Sequence, residues 1–198
     1  SLDLSKSTAL TSVSARNNQI ASVNVDGLNS LYQFDVVNNK LKEIKFANMS
    51  QLQNVALGKN ELTKVSFDNC PSVMAVSVND NRLVSLDLSS LTNLASLSVE
   101  HNKLTALDLK GLSKIGVLEC QDNELATLDL TDLAELKDLR AHDNKLTSLV
   151  LPDNSAKLYA CHIQHNQIPV SVMNTAIKKL PNVTDIYVLD FEKSWKKH

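Results

Sequence analysis

Glycine is scarce: four in 198 residues, at Gly27, Gly58, Gly111 and Gly116. Dinucleotide and P-loop sites need several glycines within a few residues to bring backbone amides against phosphate, so that class of function is set aside. Aromatic residues make up 4%, too few for the stacking platforms that hold single-stranded nucleic acid. Neither sign of charge dominates, since 20 Lys and Arg against 22 Asp and Glu leave a formal net charge of -2. That balance argues against a nucleic-acid or anionic-membrane binder. No apolar run approaches the ~20 residues of a membrane span. The opening Ser1-Leu2-Asp3-Leu4-Ser5 has neither a basic nor an apolar leader region, so any secretion signal is expected to have been removed or to lie outside this sequence. HExxH, CxxC and GxSxG are missing, and with them the common zinc, redox and hydrolase signatures. No nucleophile or acid–base pair stands out, so neither catalysis nor a cofactor is expected.

What the chain has in abundance is a period. Asparagine recurs at Asn18, Asn39, Asn60, Asn81, Asn102, Asn123, Asn144 and Asn166, with six intervals of 21 residues and a last one of 22. Each is followed two residues later by Leu or Ile, from Ile20 and Leu41 to Leu146 and Ile168. Upstream the pattern is equally regular, as in Leu94-x-x-Leu97-x-Val99-x-x-Asn102-x-Leu104 and Leu31-x-x-Phe34-x-Val36-x-x-Asn39-x-Leu41. Leu97 and Val99 alternate with Ser96, Ser98 and Glu100, the period-two signal of a strand with one buried face. A strand so short cannot bury that face alone. Stacked repeats can, and the result is a parallel sheet along the concave wall of a solenoid. The recurring Asn is a turn former whose amide can satisfy backbone groups trapped between coils. Eight equivalent positions argue against a special catalytic or glycosylation role for any one of them.

The return segment, for example residues 104–112, alternates Leu107 and Leu109 around Asp108 and is too short for a full helix with two turns. The convex side is therefore expected to carry short strands and turns. Together these features give the form LxxLxLxxNxLxxLDLSxLxxL, which resembles bacterial internalin-like leucine-rich repeats of the 21-residue class over roughly residues 1–168. Ser89-Ser90-Leu91-Thr92-Asn93-Leu94 and Thr131-Asp132-Leu133-Ala134-Glu135-Leu136 match that class's return segment. The resemblance implies a right-handed leucine-rich-repeat solenoid with a parallel β-sheet on its concave side. It further implies a secreted or surface-attached bacterial protein that binds other macromolecules. Members of the class often carry cysteine in the strand core, where Cys120 sits; most repeats here have Val, Leu or Ala, so any cysteine ladder is vestigial.

Both ends are informative. Leu2 to Leu10 align with Leu86 to Leu94, so the sequence starts halfway through a repeat, and further repeats or a cap are expected before Ser1. Residues 1–168 are read as the solenoid and residues 169–198 as a C-terminal cap and tail. Pro169 and Pro181 bracket a stretch in which Met173, Ala176, Ile177 and Leu180 recur at helical spacing, predicting a helix at about 170–180. Val183-x-x-Ile186-x-Val188 then repeats the strand pattern, with Phe191 where Asn stood eight times. A degenerate ninth strand over about 183–191 is expected, followed by Trp195 and the basic Lys193, Lys196, Lys197 and His198 as a frayed terminus or a connection.

Cys120 and Cys161 fall in the core two repeats apart, near 10 Å, beyond the reach of a disulfide. Cys70 replaces a convex leucine. All three read as buried, inert thiols. His101, His142, His162 and His165 occupy outward strand positions or the adjoining turn, mixed with Glu100, Glu119, Asp122, Asp138 and Asp143. A pair such as His142 with His162 suggests a metal, but like positions on neighbouring strands form a straight row ~4.8 Å apart, whereas an ion wants ligands converging at about 2.1 Å. No metal site is therefore expected.

The central outward column reads Ser14, Asp35, Ala56, Ser77, Ser98, Glu119, Arg140, His162 and Tyr187. Its first half is small and its second half large and charged. Tyr and Arg are enriched at binding hot spots, so the partner-binding face is placed on Glu119, Asp138, Arg140, His142, Tyr159, His162 and Tyr187. The bland alternative is that Arg140 merely pairs with Glu119 across the sheet, for ~0–1 kcal/mol. The expected role is a monomeric, non-enzymatic binding module for protein–protein interaction or adhesion, with a protein favoured over a glycan because concave aromatics are few. A structural spacer within a larger surface protein is the alternative.

Overall fold

A computed structural model describes residues 1–188, and the chain is a parallel β-solenoid of the leucine-rich-repeat kind. Nine short strands form one sheet in strict sequence order. They are Ser12–Ser14, Gln33–Asp35, Asn54–Ala56, Ala75–Ser77, Ser96–Ser98, Val117–Glu119, Asp138–Arg140, Ala160–His162 and Asp185–Tyr187, numbered here as rungs one to nine. Pairing is in register at equivalent repeat positions: Leu97 faces Leu118, which faces Leu139, which faces Cys161. The period-two pattern explains this, because slipping by one residue would turn each buried leucine to solvent.

The core is a stack of identical layers. Leu94, Leu97, Val99, Leu104 and Ile115 are fully buried, as are their counterparts in the inner rungs, whereas Leu10, Ala15 and Ile20 of rung one and Ile186 and Val188 of rung nine are only partly covered. Each buried aliphatic side chain contributes about 1.5–3 kcal/mol relative to exposure. Phe34, Phe46 and Phe67 form an aromatic cluster near rungs two and three, with centroids 5.4 and 5.5 Å apart.

The asparagine ladder closes the gaps between layers. Asn102 Oδ1 accepts the Leu83 N–H at 2.9 Å, while its Nδ2 donates to the carbonyls of Val78 and Val99, each at 3.0 Å, and of Glu100 at 3.2 Å. Two hydrogens thus serve three carbonyls, one of them shared. The same set recurs at Asn60, Asn81, Asn123, Asn144 and Asn166. Asn39 follows it, and Asn18 bonds Ala15 and Arg16 of its own rung. Immediately before each ladder residue the backbone is left-handed: Asn17, Asn38, Lys59, Asp80, His101, Asp122, Asp143 and His165 have φ between 52° and 60°. Asn and Asp tolerate this region best; the neighbouring ladder bonds hold Lys59, His101 and His165 there.

The convex side carries short parallel pairs, Leu2–Asp3 with Val23–Asn24, Glu43–Ala47 with Lys64–Asp68, and Thr127–Asp129 with Ser148–Val150. Turns and extended chain fill the remaining returns, as the return-segment spacing predicts. A nine-residue helix, Val170–Lys178, replaces the return before rung nine, burying Met173 and Ala176. It ends two residues short of the expected boundary because Lys179 takes up the C-cap position. Between it and the strand Ser148–Val150 lies an apolar cavity of about 440 Å³. Rung nine covers Asp185–Tyr187; the rest of the expected strand, with Phe191 and the tail, lies outside the described residues. No helix among the described residues is long and apolar enough to cross a membrane.

Candidate partner-binding face

The register fixes which side chains stand together. Glu119, Arg140, His162 and Tyr187 are direct neighbours in one outward row across rungs six to nine. Arg140 Nη1 lies 3.2 Å from Glu119 Oε1 and its Nη2 lies 3.3 Å from Asp138 Oδ2. The Glu119 pairing anticipated from the sequence is therefore present, and Asp138 extends it from the buried edge of the same strand. Tyr187 is 47% exposed and Tyr159 50% exposed, and the His162 ring meets Tyr187 edge-on with centroids 4.7 Å apart. His162 Nε2 is 3.0 Å from Asp185 Oδ2.

His142 is not beside His162. Arg140 is the residue paired with His162, and His142 stands two residues further on, where the strand enters the turn. There its Nδ1 lies 2.6 Å from Asp143 Oδ2, and Asp143 Oδ1 lies 2.7 Å from His165 Nδ1. Burial alone would raise the Asp143 carboxyl, yet the bonds from His142 and His165 hold it below the usual carboxylate range. His101 Nδ1 and Asp122 Oδ2 are 3.5 Å apart in the same turn column.

Glu100, Gln121 and Gln164 take a larger part than the sequence reading gave them. They share His142's position in rungs five, six and eight, and each buries a side-chain oxygen with no hydrogen-bond partner. Asp138 Oδ1 and Arg140 Nε are buried and unpaired in the same way. Such groups cost about 1–3 kcal/mol each while unmet. Burial, reinforced by the neighbouring Glu119 and Asp80, pushes the Glu100 carboxyl up. Asp185 was also missed, because its strand is degenerate and lacks the ladder residue. The signal for Glu100, Gln121 and Gln164 was visible as one outward column beside the Glu119–Arg140 row.

From rung five onward the outward strand positions and the following turn carry Glu100, Glu119, Asp122, Asp138, Asp143 and Asp185 against Arg140. Rungs one to four balance Asp35 and Asp80 with Arg16 and Lys59, and Asp35 is locked to Arg16 at 2.6 Å. The strand row there is lined by Ser, Ala, Asn and Gln around a depression of about 150 Å³. Gly58 serves that small face: a Cβ there would collide with the Asn79 side chain, whose amide leans across to accept from Ser77 Oγ and donate to Asp80.

The cysteines stay in the core. All three are unbridged. Burial, with the nearby Glu100 or Asp138 charge, pushes Cys120 and Cys161 up to about 12, and burial also raises Cys70. Thiols so disfavoured as thiolates are poor nucleophiles.

No sequence-family model matches the chain, and no curated protein matches it in sequence. Solved structures do match in shape. Internalin C2 from Listeria monocytogenes superposes with TM-score 0.66 at 23% identity, over 90% of this chain and 79% of that one. A leucine-rich-repeat protein from Leptospira interrogans gives TM-score 0.61 at 19% identity, over 93% of this chain and 62% of that one. A second Listeria monocytogenes internalin gives TM-score 0.50 at 17% identity, over 96% of this chain and 70% of that one. At these identities the likeness is one of fold, and in fold the chain is an internalin-like leucine-rich-repeat solenoid.

Proposed function

We propose that the chain is a non-enzymatic protein-binding module, exported to the bacterial surface or beyond, which engages its partner through the concave face of rungs five to nine. The observation that carries this reading is the set of buried, unpaired polar atoms on that face: four acceptor oxygens, of Glu100, Gln121, Asp138 and Gln164, and the Arg140 Nε donor. A surface rich in unmet acceptors and in carboxylates favours a partner that brings hydrogen-bond donors and positive charge, such as a lysine- or arginine-bearing protein segment. Tyr159 and Tyr187 supply the exposed rings beside it, and Arg140 the guanidinium, the residue types that most often anchor interfaces. Aromatic groups are too sparse for the ring-stacking that glycan recognition favours.

The test is differential capture. Immobilised wild-type chain and an Arg140→Ala/Tyr187→Ala variant are exposed to the same surface-protein extract, and bound proteins are quantified. A protein retained at least tenfold better by the wild type supports the reading. Equal retention by both overturns the face, and no specific retention by either overturns the binding role in favour of a spacer.

A further inference from the structure

We infer that the turn edge of rungs six and seven holds a divalent transition-metal ion between Asp122, His142 and Asp143. Each of the three places one ligand atom within 4.8 Å of the other two. A tetrahedral ion with bonds of about 2.1 Å wants its ligand atoms about 3.4 Å apart, so closure asks for movement on the order of 1 Å, within reach of side-chain rotation at half-exposed positions.

The trio is not a straight row of like positions. The trio draws on two adjacent columns as well as two adjacent rungs. Asp122 and Asp143 come from the left-handed turn positions, with φ of 54° and 55°, and His142 from the strand end next to them. The backbone fixes their meeting: the Asp122 N–H donates to the His142 carbonyl at 3.2 Å and the Asn123 N–H to the Asp143 carbonyl at 3.3 Å. Asn123 and Asn144 pin the same turns from below. Ligands mounted on such a rigid frame lose little entropy on binding.

Charge points the same way. Asp122 and Asp143 occupy equivalent positions of neighbouring rungs, about 4.8 Å apart, and the ion pairs they form run to His101, His142 and His165 rather than to lysine or arginine. Two adjacent carboxylates thus stand together with only imidazoles as their partners among the described residues. A divalent ion neutralises both. His165 holds Asp143 Oδ1 at 2.7 Å, the kind of outer contact that orients a carboxylate ligand in metal sites, and His101 lies 3.5 Å from Asp122 Oδ2. One nitrogen with two carboxylate oxygens suits zinc and its neighbours, whereas calcium favours six to eight oxygens.

The site stands apart from the partner reading, since it needs no second protein. Zinc chloride is titrated calorimetrically into the metal-free full chain, produced without a polyhistidine tag, and into Asp122→Asn, His142→Ala, Asp143→Asn and His162→Ala variants. Asparagine is at ease in the left-handed turn, so the Asp→Asn variants fold. The expected result is one ion per chain at micromolar Kd, weakened at least tenfold by each change in the trio and untouched by His162→Ala, with calcium giving no comparable heat. Zinc should also raise the melting temperature of the wild type and not of His142→Ala. A wild-type Kd of millimolar or weaker, or micromolar binding that survives His142→Ala, overturns the site.

Discussion

Rungs one to four and rungs five to nine share one core, and all but rung nine share one ladder, yet the two groups present different faces. Phe34, Val55, Leu97 and Leu139 are equally buried, and Asn60 and Asn123 make the same four kinds of bond. Outward, Ser14, Ala56 and Ser77 give way to Glu119, Arg140, His162 and Tyr187 along the same row. The comparison separates two constraints. Inward positions are set by stacking and stay apolar in both halves; outward positions meet their neighbours only through polar and ring contacts at the surface and are free to carry recognition.

The sharpest way to break that separation is to attack what both halves share. Asn102→Leu removes a buried acceptor for Leu83 N–H and the donor to three carbonyls, and unpaired buried groups make the expected loss roughly 4 kcal/mol. At a few degrees per kcal/mol, thermal melting should fall by about 10 °C. Leu118→Ala leaves a cavity in a fully buried layer and should cost roughly 3 kcal/mol, read by chemical denaturation. If either variant melts like wild type, the layers do not support each other as described.

Attacking the outward row should do the reverse. Arg140→Ala with Tyr187→Ala is expected to weaken a captured partner at least tenfold while lowering the melting temperature by only a few degrees, because the partly exposed pair with Glu119 contributes ~0–1 kcal/mol and the unpairing of buried Asp138 adds about 1–3 kcal/mol. The matched change in the first half, Arg16→Ala with Asp35→Ala, should leave affinity unchanged. Calorimetry on both pairs decides whether recognition is confined to the later rungs.

The smallest effect tests the electrostatics of the later face. Burial sets the folded Glu100 pKa above its unfolded value, so below the unfolded value, about 4.3, the group is protonated in both states and costs nothing. As pH rises through the folded value, the charge appears in a half-buried setting and opposes folding. Glu100→Gln should therefore melt like wild type at about pH 4 and slightly above it at about pH 7. A wild-type advantage at the higher pH would mean that Glu100 already has a partner in the folded chain.

The sequence was a good guide wherever position repeats. A ladder Asn or a core Leu is constrained in the same way in every rung, so its spacing alone placed the sheet, the return strands and the outward row. The helix was legible from Pro169 and Pro181 because proline acts locally. Contacts that run diagonally were not legible. His142 meets Asp122 and Asp143 through a turn held at positive φ, whereas the spacing suggests only a pairing with His162 on the neighbouring strand. Asp185 lies in a strand that lacks the ladder residue, and the unmet oxygens of Gln121 and Gln164 depend on side-chain burial, which the period does not encode.

The central claim is that the face of the later rungs can be erased without touching the fold. The direct measurement is calorimetric affinity of the captured partner for a chain carrying Glu119→Ser, Arg140→Ser, His162→Ser and Tyr187→Ser together, which writes the residue of Ser14, Ser77 and Ser98 into the later rungs. The account predicts a melting temperature within a few degrees of wild type and affinity reduced well beyond tenfold. Undiminished affinity with an intact fold would contradict it.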